Sequence, residues 1–344
     1  MSLEFVHNYQ GNRYQPPPQS LPAMPPDDSD ESGTAEPELD LEYPRDSWKS
    51  LPIATKDGDL TDLPQRFIDG RHRGETVLWL SAPTGEPIPV RLAEIAAGCI
   101  TLQGRRENQV VQRVVSLISQ PFPWEEIEGF VTALQVHGYR FLDAPAPLDE
   151  SGARRVSFDF GTMENQPRTR VQREMQVLEE MILCQNLDVP TLMDGRIGWF
   201  SQPGLETRNI VGVIKNTRER YLHNEGIQVL MRLSPAERTP FFAVQSHDMP
   251  VITWFLRLAG SNRSMPNSGI VRIEVPKKRF ETQQLGSDFV NRLSKRIYDL
   301  RSRHSDYQRS AISLEPIVRV EASLSACMTP PQHYQNRFYR LLNI

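Results

Sequence analysis

Cysteine is scarce in this sequence. Cys99, Cys184 and Cys327 are the only three among 344 residues. They lie far apart and make no C-x-x-C pair, which argues against a disulfide framework or a zinc ribbon and points to a reducing, cytoplasmic setting. Long apolar runs are missing too: no stretch reaches the roughly 18 residues that a membrane helix needs. The opening Met-Ser-Leu-Glu-Phe-Val-His-Asn-Tyr lacks the basic-then-apolar order of a secretory signal. Among catalytic signatures, the phosphate-cradling Gly-x-x-x-x-Gly-Lys-Ser/Thr loop is absent, as are the dinucleotide-binding glycine pattern, Gly-x-Ser-x-Gly and His-Glu-x-x-His. The 7 histidines are scattered, which disfavours a zinc hydrolase.

What is present is an uneven distribution of charge. Residues 1–48 hold ten acids and two bases, so the formal charge of −4 conceals a segment of −8 ahead of a body of +4. A mildly basic body suits nucleic acid. The segment is rich in Pro, Asp, Glu and Ser, with Pro16-Pro17-Pro18, and is expected to be mostly disordered, with Trp48 docking on the body. The expected organisation is this segment (1–48), one α/β domain (49–325) and a C-terminal docking tail (326–344).

Two apolar runs end in Asp-Gly: Phe67-Ile68-Asp69-Gly70 and Leu192-Met193-Asp194-Gly195. Each has the form of a buried strand delivering one carboxylate, although Asp-Gly is also a common turn. After the first, Thr76–Ala82 and Pro87–Leu92 flank a Pro-Thr-Gly-Glu turn and read as a hairpin, with Gly98–Leu102 as a third antiparallel strand. A strand bearing Asp followed by such a meander is how an RNase H-like sheet begins. Gln109–Ile118 has apolar residues at helical spacing, and Pro123-Trp124-Glu125-Glu126 opens a helix that Gly138 closes. Val156–Phe160 alternates like a strand, with Asp159 as a possible further acid. Thr169–Cys184 forms a helix striped by Val171, Met175, Leu178, Met181 and Ile182, with Glu174 and Glu180 off the stripe. It leads into the strand of Asp194; a strand ending in Lys215 follows, and residues 241–244, 251–258 and 269–275 supply further strands. The fold class is therefore α/β, an RNase H-like mixed sheet flanked by helices.

Carboxylates are the ligands this chain has to offer, and hard oxygen donors suit Mn²⁺ or Mg²⁺. Two such ions about 4 Å apart activate water and stabilise the leaving oxygen of a phosphodiester. Lys215, at the end of an apolar run, is placed either to meet a phosphate or to snorkel into water. Arg218, Arg220 and Tyr221 follow it as candidate DNA contacts. Lys277-Lys278-Arg279, together with Arg296 on an amphipathic helix from Asp288 to His304, forms either a solvated face or a strip that tracks phosphates.

Ile68-Asp69-Gly70, Arg170 to Glu174, Leu192-Met-Asp194-Gly195, Val213-Ile-Lys215 and Val271-Arg-Ile-Glu-Val-Pro276 occur in the order seen in the NurA nuclease family. The chain resembles that family over about residues 60–325. The resemblance implies an RNase H-like core and Mn²⁺-dependent cleavage of single-stranded DNA and of DNA ends. It also implies a homodimer that works with a hexameric HerA-type ATPase. Asp69, Glu174 and Asp194 would be the metal ligands, with Lys215 and Tyr221 lining the site. Family members carry a histidine in a C-terminal helix; here the nearest are His304 and His333, so Glu315 is the alternative ligand. A catalytically silent DNA-binding or ATPase-docking relative is the other expectation. Arg71 stands where a small serine is usual after the first Asp-Gly.

Overall fold

Strict alternation of side chains builds the centre of the molecule. The computed structural model describes residues 4–13, 36–53, 61–149, 151–156, 159–215, 221–260, 268–303 and 312–344. Helix α1 (Glu4–Asn8), strand β1 (Asn12–Arg13) and strand β2 (Leu51–Pro52) come first. Three long strands follow: β3 (Arg66–Ser81), β4 (Pro87–Thr101) and β5 (Arg106–Leu117). Helix α2 (Trp124–Val136) and β6 (Arg140–Asp143) lead to the long helix α3 (Phe160–Cys184), which returns the chain to β7 (Thr191–Asp194) and β8 (Ile210–Ile214). Helix α4 (Asn224–Arg232) precedes β9 (Glu237–Arg238), β10 (Phe242–Ser246), β11 (Met249–Arg257) and β12 (Ile270–Pro276). Helices α5 (Lys277–Thr282), α6 (Ser287–Asp299), α7 (Glu315–Cys327) and α8 (Pro331–Leu342) follow.

The strands join one sheet in the order β2-β9-β11-β12-β8-β7-β3-β4-β5-β6, with β1 on β3 and β10 on β11. Strands β3, β4 and β5 are antiparallel, whereas β7 runs parallel to β3 and β8 parallel to β7. Adjacent residues enter opposite cores, as a period of two requires. Phe67, Ile100 and Leu192 join a core closed by Leu293 of α6 and Leu324 of α7. Ile68, Cys99 and Met193 join the other, under Val171, Leu178 and Ile182 of α3. A third core gathers the far end of the β3–β4 hairpin with α1, α2 and α8.

Several expectations are corrected. Residues 109–117 are strand, not helix: Val110, Val111, Val114 and Val115 fit either period, and pairing along β4 decides for the conformation that β-branched side chains favour. The segment around Gly98 is the end of β4, so β5 is the third antiparallel strand. Asp159 is not in a strand; it caps α3, accepting the Thr162 N–H at 3.1 Å. The helix starts at Phe160 and carries Pro167 inside it. The boundary expected at 325/326 falls within α7, and Tyr334, Phe338 and Leu342 of α8 are buried in the third core, so the C-terminal stretch is packed on the body.

Two parts of the acidic segment are folded rather than disordered. Phe5 and Val6 lie in the third core. Trp48 is buried and donates its indole N–H to the Leu39 carbonyl at 3.2 Å. Glu42 clamps the buried Arg238 guanidinium with both oxygens at 2.7 Å and accepts the Phe241 N–H. Residues 14–35 lie outside the described residues. The Glu42–Arg238 pair is 4% and 1% exposed, so removing the acid strands a buried cation. Glu42→Ala is expected to cost about 3–5 kcal/mol in urea denaturation. Asp40→Ala, which removes the exposed partner of Arg45, is expected to leave the midpoint nearly unchanged.

Candidate functional site

Parallel pairing of β3 with β7 sets Ile68 opposite Met193, so the next residue of each strand, Asp69 and Asp194, falls side by side. Lys215 follows β8, whose Val213 lies opposite Asp194. From above, α7 contributes Glu321. Carboxylate oxygens of Asp69, Asp194 and Glu321 all lie within 4.8 Å of one another. The Lys215 ammonium is 2.5 Å from Asp194 Oδ2 and 3.9 Å from Glu321 Oε1. The Gly70 N–H donates to Asp69 Oδ1 at 2.8 Å.

Two glycines make room for the acids. A β-carbon on Gly98, the cross-strand partner of Asp69, would come within 2.9 Å of Leu324, so glycine admits α7. A β-carbon on Gly70 would meet Glu179 Oε1 of α3 at 2.5 Å. A fourth carboxylate therefore sits behind the sheet, at the gap where Gly70 has no side chain.

The electrostatics follow from crowding. Burial, then the charges of Asp194 and Glu179, push Asp69 well above the ordinary carboxylate range, while Lys215 works against them. Burial followed by Asp194 pushes Glu179 up to about 8, against a hydrogen bond from Gly70. Burial alone would weaken the Lys215 ammonium, but Asp194, Asp69 and Glu321 outweigh it and hold the charge in place. Three carboxylates, all oxygen donors, thus face one ammonium, while Glu179 lies behind Gly70 and is pushed, like Asp69, toward holding a proton. That donor set fits a hard divalent cation, which would take up the excess negative charge.

The structure brings together only part of the expected set. Asp69, Asp194 and Lys215 converge. Glu174 does not join them: it is buried in α3 and paired with Arg140 at 2.5 Å and Arg170 at 2.9 Å. Five residues separate it from Glu179, about 140° around the helix, so the two cannot share a face. Tyr221 lies under the Arg272 guanidinium, 4.8 Å from ring centre to carbon. Arg218, Arg220 and His304 lie outside the described residues. The expected basic strip is largely engaged elsewhere. Lys277 pairs with Glu38 at 2.9 Å and Lys278 with Glu206 at 3.0 Å. Arg279 is buried over the Phe289 ring, and Arg296 is half-buried on α6. Glu315 pairs with Arg319, and the carboxylate of α7 in the site is Glu321 instead. A separate cavity of ≈ 560 Å³, between Glu94, Arg113, Tyr139 and Arg140, shares none of these acids.

Glu179 and Glu321 had a signal in the sequence. Met175, Leu178, Glu179 and Ile182 follow the i, i+3, i+4, i+7 pattern, and so do Ile317, Val320, Glu321 and Leu324. Each acid occupies a core-facing place on an apolar stripe. No protein-family model matches the chain, and no curated protein is significantly similar to it.

Glu179 also yields a pH dependence. Its folded value near 8 exceeds its ordinary 4.5, so between these values the folded state holds a proton that the unfolded chain has lost. Stability contributed below pH 4.5 is therefore lost as pH rises toward 8. In the metal-free protein, Glu179→Gln is expected to raise the melting temperature at pH 8 by several degrees, on the order of 2–4 °C per kcal/mol. It should leave the melting temperature unchanged at pH 4; thermal scans of both proteins across this range check it.

Proposed function

We propose that the chain is a metal-dependent deoxyribonuclease with an RNase H-like core, in which Asp69, Asp194 and Glu321 are the metal ligands. The observation that carries this reading is the convergence of the three carboxylates, from β3, β7 and α7, within 4.8 Å beside a buried lysine. The strand order β5-β4-β3-β7-β8, three antiparallel then two parallel to β3, with α3 as the crossover, supports the RNase H-like assignment. The motif order that resembles the NurA family supports DNA as substrate, single strands and duplex ends alike. With it come a homodimer and a hexameric HerA-type ATPase as proposed partners.

Asp69, Asp194 and Glu321 would hold Mn²⁺ or Mg²⁺, and the ion would supply Lewis-acid stabilisation of the phosphodiester and acidification of water. The chain's own residues do the rest. Asp69 and Asp194 are fixed by strand pairing, so their spacing needs no ordering when substrate arrives. Lys215 holds Asp194 in one orientation and limits the negative charge that an incoming phosphate meets. Glu179 keeps a proton at neutral pH behind Gly70, which spares the site a further full charge.

A labelled-DNA assay with Mn²⁺ tests this. Wild type is expected to cut single-stranded and blunt duplex DNA. Asp69→Ala, Asp194→Ala and Glu321→Ala should each lower the rate about 100-fold or more, as loss of charge stabilisation at a reacting phosphate does. Glu174→Gln should keep cutting. Full activity in the three alanine variants would sink the assignment, and a wild type that binds DNA but never cuts it would be the catalytically silent DNA-binding or ATPase-docking relative.

A further inference from the structure

We propose that Arg71 grips an internal phosphate of a single nucleic-acid strand lying at the carboxylate site, an assignment that rests on the nucleic-acid reading above. Arg71 is two residues beyond Asp69 on β3, so alternation puts both on the face that α7 covers. The rise between them is about 7 Å, which a guanidinium on its long stem spans. Opposite it on β4 stands Ala96, a small and fully buried side chain.

The state of the guanidinium is what suggests a ligand. Arg71 is half-buried, its Nε is closed off from solvent, and that atom has no acceptor. Among the described residues no carboxylate pairs with it, whereas Arg66, Arg113, Arg238 and Arg292 each hold one. An unmet donor costs free energy, which a turn of the side chain that carries the guanidinium onto a phosphate would recover. The carboxylates that would hold a metal do not themselves supply a contact for the strand beyond the cut bond, and the one ammonium beside them is already engaged. Lys215 is spent on Asp194, with Glu321 and Asp69 drawing on the same ammonium. A phosphodiester entering beside the three carboxylates would meet repulsion that the lysine is already committed to offsetting. Arg71 presents the planar fork that matches two phosphate oxygens, which an ammonium cannot do.

The test measures binding without cleavage. A fluorescent twelve-residue thymidine oligonucleotide with a 5′-hydroxyl is titrated in Ca²⁺ against wild type, Arg71→Gln and Arg71→Lys, over a series of salt concentrations. Arg71→Gln is expected to weaken binding about tenfold or more and to flatten the salt slope by about 0.7, the share of one phosphate on a single strand. Arg71→Lys should restore the slope but only part of the affinity. Mn²⁺ affinity by calorimetry, and the melting temperature, should match wild type in both variants, which separates phosphate binding from a folding defect. Wild-type affinity and slope in Arg71→Gln would overturn the proposal. So would a loss confined to oligonucleotides carrying a 5′-phosphate, or an absence of binding by wild type. Cleavage by wild type in Mn²⁺ is scored separately: cutting with no Arg71 effect refutes only the arginine's role, and Arg71-dependent binding with no cutting refutes only the nuclease.

Discussion

Negative charge packed where water is scarce is the constraint on which the centre of this protein depends. Asp69, Glu179 and the lysine between their neighbours are almost wholly enclosed, and like charges at that range repel strongly in a medium of low polarity. The fold tolerates this because the strands leave the acids no alternative. Asp69 is held by pairing with Gly98 of β4, Asp194 by pairing with Val213 of β8, and Glu321 and Glu179 by helices pressed onto opposite faces of the sheet. Side chains that would relax apart in a loop are kept together by a lattice of main-chain hydrogen bonds. Such stored repulsion is common where a site is organised around a ligand that carries the opposite charge.

How far the residues alone disclose this differs from element to element. Asp69, Asp194 and Lys215 were readable because each ends an apolar run, and an ionisable group in that place has to be explained. The two glutamates carry a different sign: Glu174 lies off the apolar stripe of its helix, whereas Glu179 and Glu321 lie on theirs. A polar residue at a core-facing helical place is the more informative sign, since burial without a partner is costly. Residues 109–117 failed for another reason. Paired valines satisfy both periods, and only the presence of β4 alongside, known from long-range pairing, decides between them.

The acidic leader shows what composition conceals. Its charge and proline content describe a chain that stays in water, yet Glu42, Glu38 and Trp48 are individually matched to Arg238, Lys277 and a core. An average over 48 residues cannot register a few well-placed contacts. The same pairing explains why the body's surplus of basic residues does not become a free positive surface around α5: part of it is neutralised by the leader itself.

The strands that carry the site are unequal in length. On one side β7 and β8 stop at Asp194 and Ile214, while on the other β3 runs on to Ser81, twelve residues past Asp69, or about 40 Å at the usual rise. The carboxylates therefore occupy an inside corner, where two strands end beside a ledge of sheet that continues on one flank. The two directions along the sheet are thus unequal at the site: one is walled by β3 and β4, and the other is where β7 and β8 have ended.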